Sequence, residues 1–209
     1  MTLSLGEVEA LARKAARGAG HSWGMADEAA MAIRWLCARD QDGCQALANL
    51  LTRCDGVELK AWVPVIDGKT WAAPGGMLCP LLAGAALSDR AGELARTPVR
   101  LGPVAEPVIL LPFAARAAQQ LCTPVSVHLS GITAITDGDA LGLVATTKPV
   151  DRITIRTGGK ITQGPPPQTR ADPDPRDVAT LSALAHRTYA PATEASRRSG
   201  AGAGLSDND

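Results

Sequence analysis

Apolar residues recur at two different spacings along the chain, and the change of spacing divides it. Near the start, Leu5, Val8, Leu11, Ala12 and Ala15 repeat every three or four residues, which predicts an amphipathic helix. Ser4 and Glu7 stand three apart ahead of it, the spacing at which each side chain satisfies a free donor at a helix start. Gly18 and Gly20 end that helix. The stretch "MADEAAMAIRWLCARD" predicts a second helix with Met25, Ala29, Ala32, Ile33 and Leu36 on its apolar face. Asp27 and Glu28 fall in its first turn, where the helix dipole favours acids. "CQALANLLTRC" predicts a short third helix, stopped by Asp55-Gly56.

Beyond residue 55 the spacing shortens. "VELKAWVPVIDGKTWAA" reads as strand, Asp67-Gly68 turn and strand. "GGMLCPLLAGAALSDRAGELA" predicts a buried turn and helix, and "PVILLP", an apolar run between prolines, a buried strand. "FAARAAQQLC" predicts a brief helix that Pro124 ends. "PVSVHLSGITAI", "ALGLVATT" and "DRITIRTG" supply further strands, with Asp137-Gly138 as a turn. The fold class expected is α+β, with N-terminal helices packed on a mixed, largely antiparallel sheet and a C-terminal helical arm. A single domain is expected over 1–162, helical over 1–55 and sheet-rich over 56–162. Residues 163–175, "QGPPPQTRADPDP", read as a proline-rich linker. Residues 176–209 read as a helical arm, split at Pro191, and a Gly-Ala tail. Val178, Leu181, Leu184 and Ala185 give that arm an apolar face, so it should pack back on the body or on a neighbouring subunit.

Composition narrows the function classes. The chain has 209 residues, 45% of them apolar, enough for a core that buries roughly 70% of the unfolded surface. Lysine plus arginine equals aspartate plus glutamate at 21 each, which leaves no long-range field to draw in nucleic acid or an anionic membrane. Six aromatic residues (four Trp, one Tyr, one Phe) are too few for a base-stacking surface. Five cysteines without a Cys-x-x-Cys argue for reduced thiols in a cytoplasmic protein, and no metal site is expected. The opening residues lack the apolar stretch of a signal peptide, and "MLCPLLAGAAL" is too short to span a bilayer.

Candidate chemistry gathers at the two ends. In "GAGHSWGMADEA", His21 lies among glycines directly before a helix start, a place suited to an anion. His21 would act there as acid or base, with Trp23 as an apolar wall. The plainer reading has Ser22 capping the helix, Trp23 stapling it to the core and His21 as a turn residue. At the other end, Glu194 is the candidate partner carboxylate and Arg197 the clamp for a substrate anion. Gly200, Gly202 and Gly204 are candidates to bring backbone amides to that anion; read plainly, they are a flexible spacer. Asp207 and Asp209 do not amount to a metal site. His128 on a strand, His186 on a helix and Cys44 near a helix start are expected to be structural.

Two resemblances bear on these ends. "SLGEVEALARKAARGAGHSWGMADEAAMAIRWL" and "TYAPATEASRRSGAGAGLSDND" resemble the opening and closing signatures of a proteobacterial family known only as a domain of unknown function. That resemblance implies a small cytoplasmic bacterial protein and gives weight to His21, Trp23, Glu194, Arg197 and the Gly-Ala tail. The first fifty or so positions are also similar in layout to the N-terminal helices of malate/L-sulfolactate NAD(P)-dependent dehydrogenases. That family places a catalytic histidine in a His-Gly dipeptide after these helices, whereas the comparable region here reads "DQDGCQAL".

The leading expectation is a cytoplasmic protein that binds a small anionic metabolite, with acid/base chemistry if it is an enzyme. The alternative is a non-catalytic accessory or oligomerisation protein docking through its C-terminal arm, in a 2-hydroxy-acid dehydrogenase-type system. No cofactor is specified by the sequence. No nucleic-acid or membrane partner is expected; a second copy or a partner subunit is.

Overall fold

A computed structural model describes residues 2–146, 152–161 and 166–189. A two-residue strand, β1 (Leu3–Ser4), leads into helices α1 (Leu5–Gly18), α2 (Trp23–Cys37) and α3 (Gly43–Cys54). A 3-10 turn over Leu59–Trp62 precedes β2 (Val65–Asp67) and β3 (Thr70–Ala72). Then come α4 (Pro80–Asp89), α5 (Ala91–Leu94), β4 (Val99–Leu101) and α6 (Leu110–Leu121). Strands β5 (Val125–Leu129), β6 (Ile132–Thr136), β7 (Leu141–Ala145) and β8 (Ile153–Thr157) complete the sheet. Strand β9 (Arg170–Ala171) and helix α7 (Pro175–His186) follow.

The α1 start forms as its sequence directs. Ser4 Oγ accepts from the Glu7 N–H at 3.2 Å, and the Glu7 carboxylate accepts from the Ser4 N–H at 2.7 Å. Two donors that a helix start leaves unpaired are thereby satisfied. Val8, Ala12, Ala15 and Ala16 of α1 meet Ala26, Ala29, Ile33 and Leu36 of α2 in the core. Alanines at such an interface let two helices approach closely without a cavity. Helix α7 covers the other flank of α1, burying Leu181 and Leu184. Its end is tied to α3 by Arg187, whose guanidinium donates to both carboxylate oxygens of Asp55 at 2.7 and 2.9 Å.

The sheet runs in the order β2-β3-β4-β8-β5-β6-β7, with β3 and β4 parallel and every other pair antiparallel. Strand β8 pairs with both β4 and β5, so the last long strand closes the centre of the sheet. Alternation decides which face is buried. Val125 and Val127 point inward, with Ile155 beside Val127 on one neighbouring strand and Ala134 on the other. Helix α6 packs on β5 and β6, and α4 packs on α6.

Three sequence expectations change here. The run "PVILLP" is helical, a 3-10 turn over Pro107–Ile109 leading into α6. Pro112 is the third residue of α6, where no intrahelical N–H is required, so proline does not break it. The run looks like a strand because a helix buried all round carries no polar face: Leu110, Leu111, Phe113 and Ala114 are all buried. Residues 57–62, expected as strand, form a 3-10 turn over Leu59–Trp62 instead, and the short β4 went unanticipated. The proline-rich connection is partly anchored. Arg170–Ala171 pair antiparallel with Leu3–Ser4, and the Gln168 N–H donates to the Ala38 carbonyl at 2.7 Å.

Candidate functional site

The bend between α2 and α3 and the start of α7 form opposite walls of one cavity. Helix α2 closes with Asp40 in the left-handed region (φ 56°) and the Gln41 N–H donating back to the Leu36 carbonyl at 3.1 Å. Helix α3 begins at Gly43, so close to α2 that a β-carbon there would lie 3.0 Å from Leu36 Cβ and 3.2 Å from Cys37 Sγ. Across the cavity, Asp174 Oδ1 accepts from the Arg176 N–H at 2.7 Å and caps α7, with Pro175 as the first helical residue.

This cavity measures about 450 Å³ and is lined by Asp40, Asp42, Asp172, Asp174 and Asp177. Its described lining residues include no lysine, arginine or histidine. Two helix starts face it, each worth roughly half a positive charge, against the carboxylates of Asp40, Asp42, Asp174 and Asp177. The carboxylates win, and the space is anionic. Asp177 registers that crowding: burial first, then Asp174 and Asp42, hold its carboxyl above the ordinary range. Cys37 and Cys44 line the same space and are hydrogen-bonded to each other. Each thiol acts on the titration of the other, and the helix start at Cys44 acts on Cys37 as well. Cys37 is thus the thiol held below its ordinary range and Cys44 the one pushed up. The helix start acts on the neighbour, not on Cys44 itself.

His21 lies away from this cavity, in the turn between α1 and α2. Only 1% of it is exposed; its N–H donates to the Ala16 carbonyl at 3.1 Å and its own carbonyl accepts from Arg17 Nη1. Among the described residues nothing hydrogen-bonds its Nε2. Ser22 caps α2 by accepting from the Met25 N–H at 3.3 Å, as the plainer reading expected. Trp23 does not staple the helix to the core: it is 65% exposed, with the Arg17 guanidinium 4.5 Å above its ring. Glu194, Arg197, Gly200, Gly202 and Gly204 lie outside the described residues, as does the arm beyond Tyr189. His128 is structural: its Nε2 accepts from Arg156 Nε at 3.1 Å, leaving Nδ1 to donate to Thr133 Oγ1 at 3.0 Å. His186 packs edge-on to Tyr189, ring centroids 5.1 Å apart.

The environment of His21 makes an expected outcome. Burial pushes its imidazole below the ordinary value near 6.5, so the unfolded chain takes up a proton before the folded one does. The stability this residue contributes is complete above about pH 6.5 and is lost as pH falls through the depressed folded value. Thermal denaturation between about pH 7 and pH 5 should therefore show a steeper loss of stability in the parent than in His21→Leu. Parallel curves would show that the imidazole is hydrated in the fold.

An α+β body with a mixed sheet and an acid-lined cavity between helix ends is the class defined so far. Residues 3–79 match a family described as a protein of unknown function (DUF3726), in line with the resemblance read from the N-terminal signature. No curated protein matches the chain. Among solved structures, a malate dehydrogenase from Entamoeba histolytica aligns over 76% of this chain and 49% of its own, at 11% identity and a TM-score of 0.45. The chain spans about half the length of that enzyme, and a likeness so distant says nothing about activity. No described helix is long and apolar enough to cross a membrane, and no described group of His, Cys, Asp or Glu is arranged to hold a metal ion.

The acid-lined cavity was missed by sequence reading. Its signals are "DQDG" and "DPDPRD", two acidic pairs each directly ahead of a helix start. Each looks like ordinary capping alone; only the fold brings the two together.

Proposed function

We propose that this chain binds a small organic cation, an amine or diamine, in the cavity between the α2–α3 bend and the start of α7. The observation that carries the reading is the convergence of Asp40, Asp42, Asp174 and Asp177 on one concave space of about 450 Å³. That volume falls in the range of ordinary small-molecule sites. A second observation supports it: burial first, then Asp174 and Asp42, hold Asp177 above its ordinary range, and a bound ammonium would relieve the part that the neighbouring carboxylates contribute. The anionic metabolite expected at His21, Trp23, Glu194, Arg197 and the glycine tail concerns a different place, part of which lies outside the described residues. Glu194, Arg197 and the tail glycines enter neither reading of this cavity. The role is binding; the cavity's described side chains include no general base paired with a nucleophile other than the thiols.

Calorimetric titration with 1,4-diaminobutane and with succinate tests the reading. The diamine should bind and succinate should not, with the affinity falling as salt is raised. Asp42→Asn and Asp177→Asn should each weaken the diamine about tenfold, a loss of about 1.4 kcal/mol. Asp177→Asn should also leave the free protein at least as stable at neutral pH, because a carboxyl raised by burial and by neighbouring carboxylates costs stability once it ionises. Binding of succinate in preference to the diamine, or of neither, would overturn the proposal.

A further inference from the structure

The thiol pair in the cavity has a chemistry of its own, independent of whether an amine binds there. We propose that Cys37 and Cys44 are a redox pair that closes to an intramolecular disulfide when a small neutral peroxide enters the cavity.

Geometry is the first support. Cys37 is the last residue of α2 and Cys44 the second of α3. These helix ends touch: Gly43 leaves so little room that a β-carbon there would stand 3.2 Å from Cys37 Sγ. The two side chains interact with each other where these helix ends meet, and both open on the same cavity. Access is the second support. Both side chains are buried yet both line the cavity, so a reagent reaches them through that opening. Cys54 and Cys79 are buried and line no part of this cavity, and Cys122 is exposed on the far side of the sequence, after α6.

The order of events follows from the hydrogen bond. Cys37 is the thiol of the pair held below its ordinary range, so it is the one that ionises first. Its thiolate attacks one oxygen of the peroxide and the O–O bond breaks. The departing hydroxide takes a proton and leaves as water, and Cys37 becomes a sulfenic acid. The Cys44 sulfur, giving up its proton, then attacks the Cys37 sulfur. The S–S bond forms, the S–O bond breaks, and a second water leaves. Two thiols lose two electrons to one peroxide. The cavity's carboxylates select the oxidant: they repel anionic disulfides such as oxidised glutathione and admit hydrogen peroxide, which is neutral.

Peptide mapping of the full chain tests this. The protein is treated with equimolar hydrogen peroxide, unfolded, alkylated and digested. A disulfide linking Cys37 to Cys44 is expected, lost on reduction with dithiothreitol, while Cys54 and Cys79 are recovered alkylated. In Cys44→Ser, Cys37 should stop at the sulfenic acid and become the main site labelled by dimedone. In Cys37→Ser, Cys44 should remain a thiol. Recovery of Cys37 and Cys44 as alkylated thiols in the parent would overturn the proposal. So would oxidation confined to Cys122, or a disulfide joining either cysteine to any other. The parent map decides the matter even if a serine variant fails to fold.

Discussion

Gly18→Ala should lower the melting temperature by about 6–12 °C, the equivalent of about 3 kcal/mol for a chain of this size. A β-carbon on Gly18 would sit 1.8 Å from the carbonyl oxygen of Leu184 and 2.7 Å from its carbonyl carbon. Both atoms belong to the backbone of α7, so no side-chain rotation makes room. Alanine is the better helix former by about 1 kcal/mol, a gain too small to offset the clash. The only relief is for α7 to lift from α1, and α7 carries Asp177 and the Asp174 cap into the cavity. Calorimetry should therefore show both a lower transition and weaker diamine binding. An unchanged melting temperature would mean that α7 does not rest on α1 at this point.

Gly84→Ala should be nearly as damaging, at about 3 kcal/mol. The missing side chain on α4 is where the ring of Phe113 lies: a β-carbon would be 2.2 Å from Cδ2, 2.4 Å from Cγ and 2.7 Å from Cε2. Phe113 is fully buried in α6 and has nowhere to swing. Here, unlike at Gly18, the obstacle is a side chain, so trimming it should help. Phe113→Leu in the Gly84→Ala background should recover part of the loss, giving a coupling on the order of 1–3 kcal/mol in a double-mutant cycle. Urea denaturation of the four proteins measures it. Simple additivity would place the ring elsewhere.

Local rules made the first helix legible. Ser4 and Glu7 cap α1 as their spacing says, Asp67-Gly68 joins β2 to β3, and Val125 and Val127 face the core on alternate positions. These features depend on residues a few positions apart. "PVILLP" was misread because periodicity is silent when every face is buried. Strand β4 is three residues long and takes its identity from β3 and β8, which lie outside any local window. The site was the least legible part. Asp42 and Asp177 are far apart in sequence and become neighbours only when α7 returns past α1. The hydrogen bond between Cys37 and Cys44 depends on how two helix ends abut, which no spacing rule encodes. For His21, a position in a turn gave no sign that the side chain would be buried.

The pairing of Leu3–Ser4 with Arg170–Ala171 has a consequence for how the molecule is made. At about 5–20 residues per second, a ribosome completes α7 some ten to thirty seconds after α1 has left it. For that interval the first helix has α2 on one flank and bare alanine and leucine on the other. The nascent chain thus carries a greasy seam uncovered throughout that interval, and α1 is finished only when α7 arrives.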